Sequence, residues 1–177
     1  MSPRRILAMM TATAALIAGP VLTAEASTSP QTTFSQQTRA AGLTAAQAAQ
    51  LQQRVDTVLA TDAQARQVSA NKLTIAGGDL VLRAPGQRET RDLAAPDAAL
   101  ACANGHLCIK DGTGSTYDYY YCGYYDFSGV GDGTFNNNQS SGTRARFYNQ
   151  NGSERWSNVA KDTGTAAWSP VYHIRPC

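Results

Sequence analysis

The residues that could do chemistry in this chain are two histidines, a scatter of aspartates and four cysteines. His106 lies two residues before Cys108, and His173 lies near the C-terminus. Asp111, Asp118, Asp126 and Asp132 could supply the paired carboxylates of a glycosidase. They stand in "DG" and "YD" contexts, where a solvated turn aspartate is the ordinary reading. There is no H-E-x-x-H, no G-x-S-x-G and no glycine-rich phosphate loop. The chain reads as a non-enzyme.

Cys102, Cys108, Cys122 and Cys177 make an even count, which in an exported chain means disulfides and removes any thiol nucleophile. Three pairings are open. The preferred one closes a short loop with Cys102–Cys108 and ties the C-terminus to a tyrosine-rich strand with Cys122–Cys177. Zinc is disfavoured, because the paired C-x2-C spacing is missing.

Export is expected from the start of the chain. Arg4 and Arg5 precede a mostly apolar run from Ile6 to Ala18, Gly19-Pro20 breaks it, and Ala24-Glu25-Ala26 offers small residues for cleavage after Ala26. Residues 1–26 therefore read as a signal peptide, too short in its apolar part to anchor in a bilayer. Removing Arg4, Arg5 and Glu25 from the 15 basic and 13 acidic residues leaves 13 and 12, a charge of +1. So balanced a surface has no footprint for nucleic acid or an anionic membrane. A secreted, extracellular monomer with no membrane attachment is expected.

The elements that must position any site fall into two compositions. All eight tyrosines, both tryptophans and all four cysteines lie after residue 98. Residues 27–97 form an N-terminal region rich in Ala, Gln, Thr and Leu, expected to be disordered from Ser27 to Ala41. Thr44 and Gln47 make a capping box, and Leu51, Val55, Val58 and Leu59 share one face, predicting a helix over about 44–60. "NKLTIAGGDLVLRA" predicts a β-hairpin over about 72–83. The proline-containing linker that follows exposes Arg88 and Arg91, so that the N-terminal region is either a pro-segment removed by cleavage there or a small domain that stays attached.

Residues 98–177 carry no helical period and break into five to seven short strands, as in a small antiparallel sandwich. In "GTRARFY", Thr143, Ala145 and Phe147 alternate with Arg144 and Arg146, predicting a half-buried strand with the arginines outward. In "TYDYYYCGYYDF", alternation puts Tyr117, Tyr119 and Tyr121 on one face and Asp118, Tyr120 and Cys122 on the other. The cysteine bridge would bury the second face with Tyr120. Tyr124, Tyr125 and Phe127 are then the expected partner contacts.

The pattern "GHLCIKDGTGS … YYC … FNNNQSSGTRARFYNQNG … W … RPC", preceded by "GLTAAQAAQLQQRVDTVLA", resembles secreted actinobacterial proteins of the peptidase-inhibitor family. The founding member of that family is a metalloproteinase inhibitor with one βγ-crystallin-like domain. The resemblance covers roughly residues 43–177. It implies an all-β C-terminal domain, a small Greek-key sandwich with two disulfides. It further implies an extracellular protease as partner, though the chain has no recognisable counterpart of the founding inhibitor's reactive loop. From the residues themselves, the glycine-rich, aromatic Gly123–Phe135 and Asp162–Ser169 are the candidate rigid loops, and the sequence picks neither. The aromatic-x-Gly of such domains has no clean match in the first hairpin, "DGTGSTYDYYYC", although Phe127-Ser128-Gly129 offers one later. Their calcium motif is approximated in two registers, and the one that keeps the arginines outward starts at Asn137. Its ligands would be Asn137, Asn138 and Ser141, although no carboxylate lies in the stretch. No cofactor is expected beyond that calcium candidate. The rival reading is a non-inhibitory module that binds cell wall, glycan or protein.

Overall fold

Thr44 starts a helix as the capping box predicts. Its side chain accepts from the Gln47 amide at 3.2 Å while its own amide donates to Gln47 Oε1 at 2.9 Å. Helix α2 runs Ala45–Thr61 and buries Leu51 and Val55 completely. This computed structural model describes residues 30–177, so the expected signal peptide lies outside the described residues. Among the described residues, no helix is long and apolar enough to cross a membrane.

The expected disorder before α2 is corrected: Pro30–Ala40 forms helix α1. Its composition is polar, but tertiary contacts hold it. Phe34 packs against the core, and Gln37 Oε1 accepts from the Ala70 amide at 2.7 Å. Composition weighs local propensity and cannot see such contacts.

The predicted hairpin is present as β2 (Lys72–Ile75) and β3 (Gly78–Val81), with β1 (Arg66–Gln67) beside β2. It does not stand apart from the cysteine-rich half. Strand β3 pairs antiparallel with β5 (Thr116–Tyr119), so the change of composition near residue 98 is no boundary in the sheet. A seven-stranded sheet results, in the order β1-β2-β3-β5-β4-β7-β10. Here β4 is Leu107–Lys110, β7 Asp132–Asn137 and β10 Asp162–Ala167. One row of residues crosses the sheet in register: Leu73, Leu80, Tyr117, Ile109, Phe135 and Gly164. The first five are buried.

A second sheet has the order β6-β11-β8-β9, with β6 Tyr125–Asp126, β8 Arg144–Tyr148, β9 Glu154–Val159 and β11 His173–Arg175. All pairings are antiparallel, and the described residues form a mostly β, two-sheet structure with two helices. Eight strands follow residue 98, one more than expected. They form two successive units of four, β4–β7 and β8–β11, each of which sends its third strand to the opposite sheet. The first hairpins of the two units close alike. The Asp111 amide donates to Ser115 O and the Asn149 amide to Ser153 O, at 3.0 and 2.9 Å.

Between the sheets lies an aromatic core. Phe147 stacks on Trp156 at 3.9 Å, and Trp168 meets Phe127 and Phe147 at 5.6 Å each. The register predicted for β8 is present, with Ala145 and Phe147 fully buried and Arg144 exposed. Over β2 and β3, the cover is instead α2, whose Leu51 and Val55 join Leu73 and Leu80 in the same apolar cluster.

The preferred disulfides, Cys102–Cys108 and Cys122–Cys177, are both formed, at sequence separations of 6 and 55. On the chain-entropy scale the short loop stabilises by about 2 kcal/mol and the long one by about 4 kcal/mol. The linker is less open than its composition implies. Fully buried Asn71 donates from Nδ2 to Leu82 O at 2.7 Å and Arg91 O at 2.8 Å, and its Oδ1 accepts from the Leu93 amide at 2.9 Å. Arg88 and Arg91 are exposed, but the backbone beside Arg91 is clamped.

Candidate functional site

The tyrosine-rich stretch sits where the two covers of the large sheet meet. Tyr117 and Tyr119, on β5, point into the core at 4% and 1% exposure. Tyr120 is only half-buried and lies against His106, so the expectation that it belongs to the core is corrected. The disulfide does not bury its face as supposed: Cys122 lies beyond the end of β5, on an exposed turn. Tyr121 is exposed, as alternation no longer applies past Tyr119.

After β5 the chain turns through Tyr120–Tyr124, a loop held at several points. The amides of Tyr120 and Tyr121 both donate to Gly77 O, at 3.0 and 3.1 Å. Cys122 is bridged to Cys177, and its carbonyl accepts from Tyr125 Oη at 2.9 Å. The Tyr125 ring lies across Gly77 and Gly123, so close that a Cβ at either would meet it at 2.3 Å. Gly77 has φ +84°, a conformation costly for other residues, so the turn of the N-terminal hairpin is shaped to receive this ring. Tyr121 and Tyr124 project from the loop with 64% and 50% exposure.

Of the three expected contact residues, Tyr124 is exposed and Tyr125 half-buried, whereas Phe127 is a core residue at 6% exposure. The correction has a geometric cause. Phe127 follows edge strand β6, and its ring turns inward onto Trp168 and over Gly129, where a Cβ would lie 2.3 Å away. On the outer side, Tyr124 rests against His173 and Tyr148 at 5.1 Å each, and His173 Nδ1 meets Asp126 Oδ1 at 2.8 Å.

Behind the loop, a cleft of about 570 Å³ opens between the end of α2 and β6. Val58, Thr61 and Asp62 form one wall, Tyr124, Asp126 and Ser128 the other, and Leu80, Tyr117 and Tyr119 the floor. Burial pushes the Tyr117 phenol up to about 12, opposed by its hydrogen bond to Ser128. Burial also raises Tyr119 well above the usual range, and the neighbouring Tyr117 and the Asp62 carboxylate add to the shift. Tyr119 Oη is buried and has no hydrogen-bond partner among the described residues. The sequence pattern gave no hint of the cleft. Alternation places Tyr117 and Tyr119 side by side, but only the non-local β3–β5 pairing brings α2 opposite β6.

The calcium candidates are not brought together as an oxygen cradle. Asn137 is fully buried: its Nδ2 donates to Asn158 Oδ1 at 3.0 Å, and its Oδ1 accepts from Gln139 Nε2 at 3.0 Å. Asn138, next along the chain, faces the other way and donates to Cys102 O at 3.0 Å, while Ser141 is exposed. Their amides serve the packing of the C-terminal segment, since Gln139 Nε2 also donates to Pro176 O at 2.6 Å. Among the described residues, no group of three or more His, Cys, Asp or Glu side chains is placed to hold a metal. The aspartates are scattered. Asp111 is buried in its own turn, accepting from the Thr113 hydroxyl at 2.6 Å and the Ser115 amide at 2.9 Å. Asp118 holds His106 Nδ1 at 2.7 Å.

No protein-family model matches the chain, and no curated protein or solved structure is significantly similar to it.

Proposed function

We propose that this protein is a secreted, non-enzymatic inhibitor of extracellular proteases, built on a crystallin-like pair of Greek-key units. The observation that carries the reading is the Tyr120–Tyr124 loop: exposed at Tyr121 and Tyr124, yet tied by a disulfide, by two amides on Gly77 O and by Tyr125 Oη. A loop already held in one shape loses little entropy on entering a protease cleft, and it resists the distortion that cleavage requires. The loop overlaps the Gly123–Phe135 segment named from sequence and excludes Phe127, which is in the core.

Two features support the crystallin-like reading. Each four-strand unit exchanges its third strand with the other sheet. The Phe127 ring lies over Gly129, the packing an aromatic-x-Gly produces. The two disulfides and the absence of a membrane-crossing helix among the described residues accord with export.

Titration of the secreted chain against a panel of metallo- and serine proteases should give stoichiometric inhibition of at least one. Tyr121→Ala and Tyr124→Ala should each weaken it by about tenfold or more, as for an interface anchor. Absence of inhibition across the panel would overturn the reading.

A further inference from the structure

We infer that the cleft between α2 and β6 is a saccharide-binding site, separate in its chemistry from the inhibitory loop. The first reason is Tyr119. Its hydroxyl is buried and, among the described residues, unpartnered on a side chain that lines the cleft, and the Asp62 carboxylate lining the same cleft acts on it through space. A buried hydroxyl without a hydrogen bond is a net cost to the free protein, which a ligand oxygen placed on the floor removes. The second reason is the set of groups around it. Asp62 accepts from the amides of Gln64 at 2.8 Å and Ala76 at 3.2 Å, one on each oxygen, leaving each with capacity for a further donor. Asp126, on the opposite wall, has a side chain 90% exposed, and Ser128 adds a hydroxyl.

The class of ligand follows from what is present and what is missing. Among the described residues no Lys, Arg or His lines the cleft, so none of its lining side chains neutralises a phosphate, sulfate or carboxylate. Asp62, and Asp126 on the oxygen that His173 does not occupy, call for hydroxyl or amine donors. The apolar remainder is partly aromatic: the half-buried Tyr125 ring, backed by buried Tyr119 at 6.0 Å, offers a face to the C–H face of a sugar ring. A sugar supplies both a ring face and surrounding hydroxyls. The volume is of the size that small-molecule sites commonly have.

The test is calorimetric titration of the secreted chain with cellotetraose and with the tetramer of N-acetylglucosamine. Saturable binding of at least one is expected, with amide shifts confined to α2, β5 and β6. Tyr119→Phe removes only the hydroxyl. It should lower affinity about tenfold, the worth of one good hydrogen bond, and leave the melting temperature of the free protein unchanged or higher. Gln64→Trp, at the exposed mouth, should abolish binding without loss of stability. Failure of both tetramers to bind, unchanged affinity in Tyr119→Phe, or a lower melting temperature in that variant would overturn the inference. So would occupation of the cleft only by a lysine- or arginine-containing peptide. Tyr124 borders both sites, but Tyr121 lies outside the cleft, so Tyr121→Ala reads inhibition alone, Gln64→Trp reads the cleft alone, and the two proposals fail independently.

Discussion

The seven-stranded sheet is covered by two different kinds of material. Over β5, β4 and β7 lies the second sheet, and the filling is aromatic: Phe127, Phe135, Phe147, Trp156 and Trp168. Over β2 and β3 lies α2, and the filling is aliphatic: Leu51, Val55, Leu73 and Leu80. The same register row runs beneath both, passing from Leu80 to Tyr117 across the β3–β5 pair. The difference teaches that composition marks how a surface is covered, not where a folding unit ends. The N-terminal segment is a second cover for one sheet, and both the loop and the cleft lie at the seam between the covers.

Substitutions on the two sides should therefore behave as damage to one structure. Phe147→Ala, in the aromatic half, should cost about 3–5 kcal/mol, and Leu51→Ala, under α2, about 2–5 kcal/mol, both measured by urea unfolding. The comparison breaks if Leu51→Ala removes helical signal while the tryptophan transition stays in place. Asn71→Ala should cost about 2–3 kcal/mol, because it leaves the Leu82 carbonyl at the hairpin's end and the Arg91 carbonyl and Leu93 amide of the linker unpaired. In limited trypsinolysis it should also expose Arg88 and Arg91 to rapid cutting. Intact protein is expected to resist there, and a chain cut there should keep its N-terminal piece until unfolded. Gly77→Ala should cost about 1–2 kcal/mol from backbone conformation alone. Its methyl would meet the Tyr125 ring, so inhibition should weaken with stability.

How far the sequence could be read follows the range of the interactions. The α2 start was legible because a capping box is a contact between residues three apart. The β2–β3 hairpin and the outward arginine of β8 were legible from alternation, and the disulfide pairing from the position of Cys177. Helix α1 was not, since its support comes from Ala70 and the core and not from its own residues. Phe127 was misjudged because strand β6 is two residues long, too short for alternation to carry a side chain's direction. The cleft was invisible for the same reason as the β3–β5 pair: both depend on segments far apart in the chain.

The smallest expected effect concerns alkali. Burial holds Tyr117 at about 12 against an ordinary 10.0, and Tyr119 higher than usual. A raised folded value means that the stability these phenols contribute is intact below about pH 10 and lost as pH rises through about 12. Ultraviolet difference titration should show these two phenols ionising last, together with unfolding. Early ionisation of the pair in a folded protein would mean that the seam opens to water.

The most direct test of the shared sheet is equilibrium unfolding of the full chain followed by two probes. Far-ultraviolet circular dichroism reports helix, which lies at the N-terminal side, and fluorescence reports Trp156 and Trp168, which lie in the aromatic half. One sheet under two covers predicts coincident transitions with a single midpoint and slope. A helical signal that melts first, leaving the tryptophan transition unmoved, would contradict it.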